Sequence, residues 1–156
     1  MATFPVLDGI QFWAQREQVN FSSKSRLSPD SERMAGAAAR LVSIVDDDDS
    51  VRKSLGRLLK SAGFRVEAFA SAEDFLEFGN QFETACLILD VRLTEMSGLD
   101  LQRQLADEKN RVAIIFVSAH DEQESRTQAL QAGAIAFLGK PFNDKELLDL
   151  VHLALK

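Results

Sequence analysis

Between Leu41 and Lys156 the chain repeats one alternation five times: a short apolar, β-branched run, then a stretch with apolar residues at helical spacing. Few folds accept that order. Strands joined through helices run parallel, the crossovers are right-handed, and helices end up on both faces of the sheet. The runs "LVSIV", "FRVEAF", "ACLILD", "VAIIFVS" and "IAFLGK" are the expected strands. "CLIL" and "VAIIFV" are apolar on consecutive residues, as strands covered on both faces must be. In "SVRKSLGRLLKSAGF", Val51, Leu55, Leu58 and Leu59 share one helical face. Gly63 is expected to stop that helix in the left-handed conformation, with Phe64 as its apolar partner. Ser71 is the expected N-cap of "AEDFLEF", and Gly133 the stop of "EQESRTQALQAGA". "GLDLQRQLAD" reads as another helix. The last, "NDKELLDLVHLALK", turns Leu147, Leu148, Val151 and Leu155 inward. The fold class is α/β, a doubly wound five-stranded parallel sheet.

Residues 1–40 read differently. "NFSSKSRLSPDSERMAGAAAR" is polar and small, with a proline and no apolar period, the composition of a linker or a weakly structured extension. Ahead of it, Phe4, Val6, Ile10, Phe12 and Trp13 admit either a weakly structured tail or a short docking helix. Met34, close to the start of the patterned region, offers an alternative initiation point. The division expected is an N-terminal extension over 1–40 and one domain over 41–156.

Charge and cysteine usage narrow the function. A net charge of −6 argues against direct nucleic-acid contact, whose footprints are basic. Cys86 is the single cysteine, so no internal disulfide forms; with no signal-peptide pattern, a reducing cytoplasm is expected. No apolar stretch approaches the ~20 residues a membrane span needs.

In an open parallel sheet, ligands bind beyond the carboxyl ends of the strands. Asp46 and Asp47 end the first strand, Asp90 the third, Ser118 the fourth, and Lys140 the fifth, followed by Pro141. Three carboxylates, a hydroxyl and an ammonium therefore converge on one edge. Carboxylates so close raise one another's pKa unless a cation compensates. An all-oxygen set suits Mg²⁺, which takes carboxylates, waters and phosphate oxygens. The chemistry this favours is phosphoryl transfer to an aspartate. Within "VDDDDS", Asp46 and Asp47 belong to this site. Asp49 is the expected N-cap of the first helix, with Ser50 at N1 and Asp48 a solvated neighbour of the helix's positive end.

The segments "IVDDD", "LILDVRLTEMSG", "FVSAH" and "AFLGKPF" resemble the signatures of response regulator receiver domains, in the family's order, and "VDDDDSVRKSL" is similar to receivers of the FixJ type. The resemblance implies the receiver fold, flavodoxin-like with strand order 2-1-3-4-5. It implies that Asp90 is the phosphoacceptor and that Asp46, Asp47, Asp90 and the backbone carbonyl of Arg92 hold Mg²⁺. Lys140, in a cis bond to Pro141, pairs with the phosphoryl group. Ser118 is the switch hydroxyl, and Phe137, expected to be partly exposed, the aromatic switch. Arg92 and His120 occupy the positions that tune the phosphate's lifetime. The implied partners are a histidine kinase or phosphotransfer protein, a downstream output protein or domain, and a second copy meeting the fourth helix, fifth strand and fifth helix. Such a module is not a conventional enzyme; it assists only its own phosphorylation and dephosphorylation. The sequence departs from the family at Thr94, where proline is common, which leaves the loop after Asp90 more conformational freedom.

Two other readings compete. "DVRLT", Asp90 to Thr94, nearly fits the D-x-D-x-T pattern of Mg²⁺-dependent aspartate-nucleophile phosphatases, but Arg92 stands where that chemistry needs a second acid. A phosphate-independent adaptor receiver is opposed by the intact acidic cluster and Lys140. The chain fits either a protein acting directly on a partner or a piece of a longer regulator. Cys86 reads as a small core residue, His152 as an exposed residue of the last helix, and "DEQE" as the acidic first turn of the fourth.

Overall fold

The computed structural model describes residues 40–119 and 122–156. Five strands alternate with five helices: β1 (Leu41–Val45), α1 (Asp49–Ser61), β2 (Arg65–Phe69), α2 (Ala72–Phe78), β3 (Thr84–Asp90), α3 (Gly98–Asp107), β4 (Ala113–Ser118), α4 (Gln123–Gln131), β5 (Ala136–Gly139) and α5 (Asp144–Ala154). The sheet is parallel, with strand order β2-β1-β3-β4-β5. Its chain-order reversal lies between β1 and β3, which places the ends of those two strands side by side. The first 39 residues, with the tail and docking-helix readings made for them, lie outside the described residues.

The period of two along the strands divides the core. Val42, Ile44, Ile88, Ile115 and Val117 face α1 and α5, where Leu55, Leu59, Leu147 and Val151 meet them. Val45, Leu87, Leu89 and Phe116 face the other side, against Phe75, Leu101, Leu105 and Ala129. Both faces are covered, so β1 and most of β3 and β4 are buried at successive residues. Burial of this kind contributes roughly 25 cal/mol per Å² of apolar surface. Cys86 is part of this interior, and burial pushes its thiol up to about 12.

Two helices, α1 and α4, stop at left-handed glycines, whereas after α3 it is Lys109, at φ 61°, that takes this conformation. After α1, the amide of Phe64 donates to Leu59 O and that of Gly63 to Lys60 O, with Gly63 at φ 95° and Phe64 buried. This is the doubly hydrogen-bonded Schellman stop. Gly133, at φ 103°, repeats it after α4, with Ala134 N donating to Ala129 O. Ser71 caps α2 as expected. The start of α1 corrects the reading of the aspartate run: Asp48, not Asp49, is the N-cap, accepting from the amides of Ser50 and Val51. Asp49 sits in the first turn and pairs with Arg52 and Lys53. His152 is exposed, yet its ring lies 5.5 Å from that of Phe64. Among the described residues no helix is long and apolar enough to cross a membrane.

Candidate functional site

β1 and β3 end in the same local device. The amide of Asp48 donates to Asp46 Oδ1 at 2.9 Å, and that of Arg92 donates to Asp90 Oδ1 at 3.1 Å. Each carboxylate folds back on the amide two residues on, an Asx turn that fixes its rotamer. The second oxygens face one another across the adjacent strands, and Lys140, reaching over from the end of β5, joins them. Its Nζ donates to Asp46 Oδ2 at 2.8 Å and to Asp90 Oδ2 at 3.3 Å. The Lys140–Pro141 bond is cis, as expected, and Lys140 N donates to Ser118 O at 2.8 Å. Arg52 donates to the backbone carbonyl of Asp46, tying the first turn of α1 to the site.

Burial is graded across the cluster. Asp46 is fully buried, Asp90 is 7% exposed, and Asp47 lies open to solvent. Burial, and then the neighbouring Asp46 charge, push the Asp90 pKa above the usual carboxylate range; Lys140 opposes both. For Lys140 itself, burial pulls the pKa down. The hydrogen bond to Asp46 and the charges of Asp90 and Asp46 outweigh it, so the ammonium is held above its ordinary value.

Oxygens of Asp46, Asp47 and Asp90 all lie within 4.8 Å of one another. Three carboxylates against the one ammonium that touches them leave two negative charges, which a divalent cation would balance. Hard oxygen donors with an open side at Asp47 suit Mg²⁺, which retains waters and phosphate oxygens. The residues fit that ion.

Each sequence-derived candidate among the described residues has a place. Ser118 is buried at the end of β4, beside Gly139 of β5. Arg92 sits two residues past Asp90, but its side chain turns to α4 and pairs with Glu122 Oε2 at 2.8 Å. His120 lies outside the described residues. Phe137 corrects an expectation: it is buried, at 4% exposure, rather than partly exposed. Its partner in register on β4 is Phe116, on which it stacks at 6.0 Å, and small Ala129 of α4 lies in the same apolar cluster. The Arg126 guanidinium lies 5.0 Å from its ring centroid, a cation–π contact.

The loop after Asp90 is tied without a proline. Gly98 N donates to Val91 O, Met96 N to Glu73 of α2, and Ser97 and Asp100 form a reciprocal capping box at the start of α3. Thr94 is exposed within it. Three features went unread in the sequence: the Arg92–Glu122 pair, the Arg126–Phe137 contact and the Arg52 tether. They join residues on different elements, or depend on a rotamer; only the i, i+6 spacing of Asp46 and Arg52 carried a local signal.

The family model for the response regulator receiver domain matches residues 42–152. The response regulator protein TmoT of Ectopseudomonas mendocina is 47% identical over 116 residues, covering 74% of this chain and 53% of that protein. The transcriptional regulatory protein FixJ of Rhizobium meliloti is 38% identical over 113 residues, covering 72% of this chain and 55% of that one. The chain thus spans about half the length of the curated relatives it matches. Among solved structures, response regulator StyR is 46% identical, with a TM-score of 0.69 over 74% of this chain and 58% of that one. The FixJ-N crystal structure is 37% identical, with a TM-score of 0.67 over 74% of this chain and 92% of that one.

Proposed function

The chain belongs to the response regulator receiver family of two-component systems, and we propose from this that Asp90 accepts a phosphoryl group from a histidine kinase or phosphotransfer protein. The observation that carries the reading is Lys140 Nζ bridging Asp46 Oδ2 and Asp90 Oδ2. An ammonium at that point neutralises the carboxylate that attacks and then meets the charge of the group it has acquired.

In the step, an Asp90 carboxylate oxygen attacks phosphorus. The bond from phosphorus to the donor's nitrogen or oxygen breaks as the new phosphorus–oxygen bond forms, and the electron pair leaves with the donor. Asp46, Asp47, Asp90 and the Arg92 carbonyl would hold Mg²⁺, which supplies charge neutralisation on the phosphoryl oxygens. Asp46, fixed by the Asp48 amide and Lys140, keeps its geometry throughout. Ser118 donates its hydroxyl to a phosphoryl oxygen, and Phe137 carries the change to the surface of α4, β5 and α5. That surface serves an output protein or domain, or a second copy of the chain. The reaction is self-phosphorylation and its reversal by hydrolysis, with no separate substrate turned over, in the cytoplasm and without nucleic-acid contact by this chain.

Acetyl phosphate with Mg²⁺ is the test. Intact mass should show one added phosphoryl group on the native chain and none on Asp90→Asn. Equal labelling of the two proteins would remove Asp90 from the role.

A further inference from the structure

We infer that Glu122 is a positioning residue for the Asp90 site: it holds the Arg92 guanidinium on α4, and capture of that guanidinium by a phosphoryl group releases the first turn of α4. The inference rests on the reading of Asp90 as phosphoacceptor.

Arg92 is bound to the site at one end and to α4 at the other. Its backbone amide donates to Asp90 Oδ1, while its guanidinium pairs with Glu122 at 2.8 Å. Glu122 is the N-cap residue of α4, yet its side chain makes no capping hydrogen bond. At the other four helices Asp48, Ser71, Ser97 and Asn143 cap with theirs. A helix start leaves amides that need partners, and a capping side chain ordinarily supplies one. Here the carboxylate in that position is committed to Arg92 instead. Packing adds little: among the described residues α4 buries Ala129 alone and lays Arg126 on the Phe137 ring, while each other helix buries two residues or more. The Arg92–Glu122 pair therefore ties the first turn of α4 to a residue beside Asp90.

The contact is built to be exchanged. Both partners are about half exposed, Arg92 at 53% and Glu122 at 49%, and ion pairs that exposed are weak. A phosphoryl group on Asp90 offers the same guanidinium more negative charge and two or three acceptor oxygens in bidentate geometry. It also repels Glu122. The exchange moves one cation from α4 to the phosphoryl group and leaves the Glu122 side chain with neither a capping hydrogen bond nor its Arg92 partner.

Amide hydrogen exchange over 122–131 reads this directly, on the full chain with and without beryllofluoride and Mg²⁺ as a stable phosphoryl mimic. Without ligand, Glu122→Gln should exchange roughly two- to fivefold faster than the native chain at the first hydrogen-bonded amides of α4, from Arg126 on. Glu122→Asp, which keeps the charge, should recover most of the protection. Beryllofluoride should bring the native chain to the rate of Glu122→Gln and add little to that variant. Unchanged protection in ligand-free Glu122→Gln, or an equal acceleration by beryllofluoride in both proteins, would overturn the inference. If acetyl phosphate adds no mass to the native chain, the Asp90 reading fails and the release step with it. The ligand-free comparison then still decides whether Glu122 holds α4.

Discussion

The backbone of Gly98 packs so tightly on Asp90 that a β-carbon on Gly98 would stand 2.2 Å from the Asp90 carbonyl oxygen. The loop from Val91 returns at this point, closed by the Gly98 N to Val91 O hydrogen bond, and α3 begins. The glycine is required by proximity, since backbone cannot yield as a flexible side chain does. Gly98→Ala should therefore destabilise the domain by about 1–3 kcal/mol, the usual cost of forcing extra volume into packed structure. By displacing Asp90 it should also slow labelling by acetyl phosphate. Urea denaturation checks the first effect, and a loss under about 0.5 kcal/mol would mean that the loop relaxes freely.

Mg²⁺ should raise the melting temperature. Three carboxylates share a site with one ammonium touching them. A ligand that binds only the folded state stabilises it by RT ln(1 + [L]/Kd), about 2.7 kcal/mol at one hundred times Kd. Asp47 is the exposed member and, among the described residues, its side chain makes no hydrogen bond or ion pair, so Asp47→Ala should leave the metal-free fold intact and abolish the dependence. A melting curve of Asp47→Ala that still rises with Mg²⁺ as the native one does would exclude it as a ligand.

Much of this site is legible in sequence because strand-end positions in a parallel sheet converge whatever the helices do. Asp46, Asp90, Ser118 and Lys140 each end an apolar run, and the topology brings them together. The cap of α1 resists the same approach. Four consecutive aspartates offer identical side chains, and the choice of Asp48 follows from the Asx turn at Asp46, which holds the Asp48 amide just before the helix begins. Phe137 misled for a related reason. The switch role suggested exposure, but its direction is set by register with Phe116 on β4, which a strand read alone does not contain. The Arg92–Glu122 pair joins two loops distant along the chain, so neither residue signals the other.

Cys86 should behave as a buried reporter of unfolding. With its thiol pushed up to about 12 by burial, almost no thiolate exists in the folded protein near pH 8, and the thiolate is the reactive form. Thiol reagents should modify the native chain only as fast as it opens, and at once in denaturant. The linkage has a definite sign. The folded pKa is raised, so its stabilising contribution is complete below the unfolded value of about 8.5 and is lost as pH climbs toward about 12. Cys86→Ala should flatten the alkaline limb of the stability curve, and an unchanged limb would assign it to other groups.

We expect the lifetime of the phosphorylated form to turn on Arg92 and His120, the residues placed two beyond Asp90 and Ser118. Hydrolysis needs a water aligned in line with phosphorus, and the side chains at the mouth control access to that position. Once Arg92 has exchanged Glu122 for a phosphoryl oxygen, its guanidinium covers that approach and holds the group by charge-assisted hydrogen bonds. We therefore expect a slowly hydrolysing phosphoprotein in which Arg92→Ala loses phosphate roughly three- to tenfold faster, the effect of about 0.7–1.4 kcal/mol on the barrier. Glu122→Gln should act in the opposite direction, since it leaves Arg92 free for the phosphoryl group from the start. His120 is expected to act either with Arg92 or against it. A bulky side chain there shields, whereas a neutral imidazole positioned on the water would act as a general base. Following phosphate loss by intact mass after removal of the donor separates the two. Faster loss in both Arg92→Ala and His120→Ala means that shielding dominates at both positions. Slower loss in His120→Ala would mean that the imidazole serves the attacking water, and the expectation of a long-lived phosphoprotein would fall.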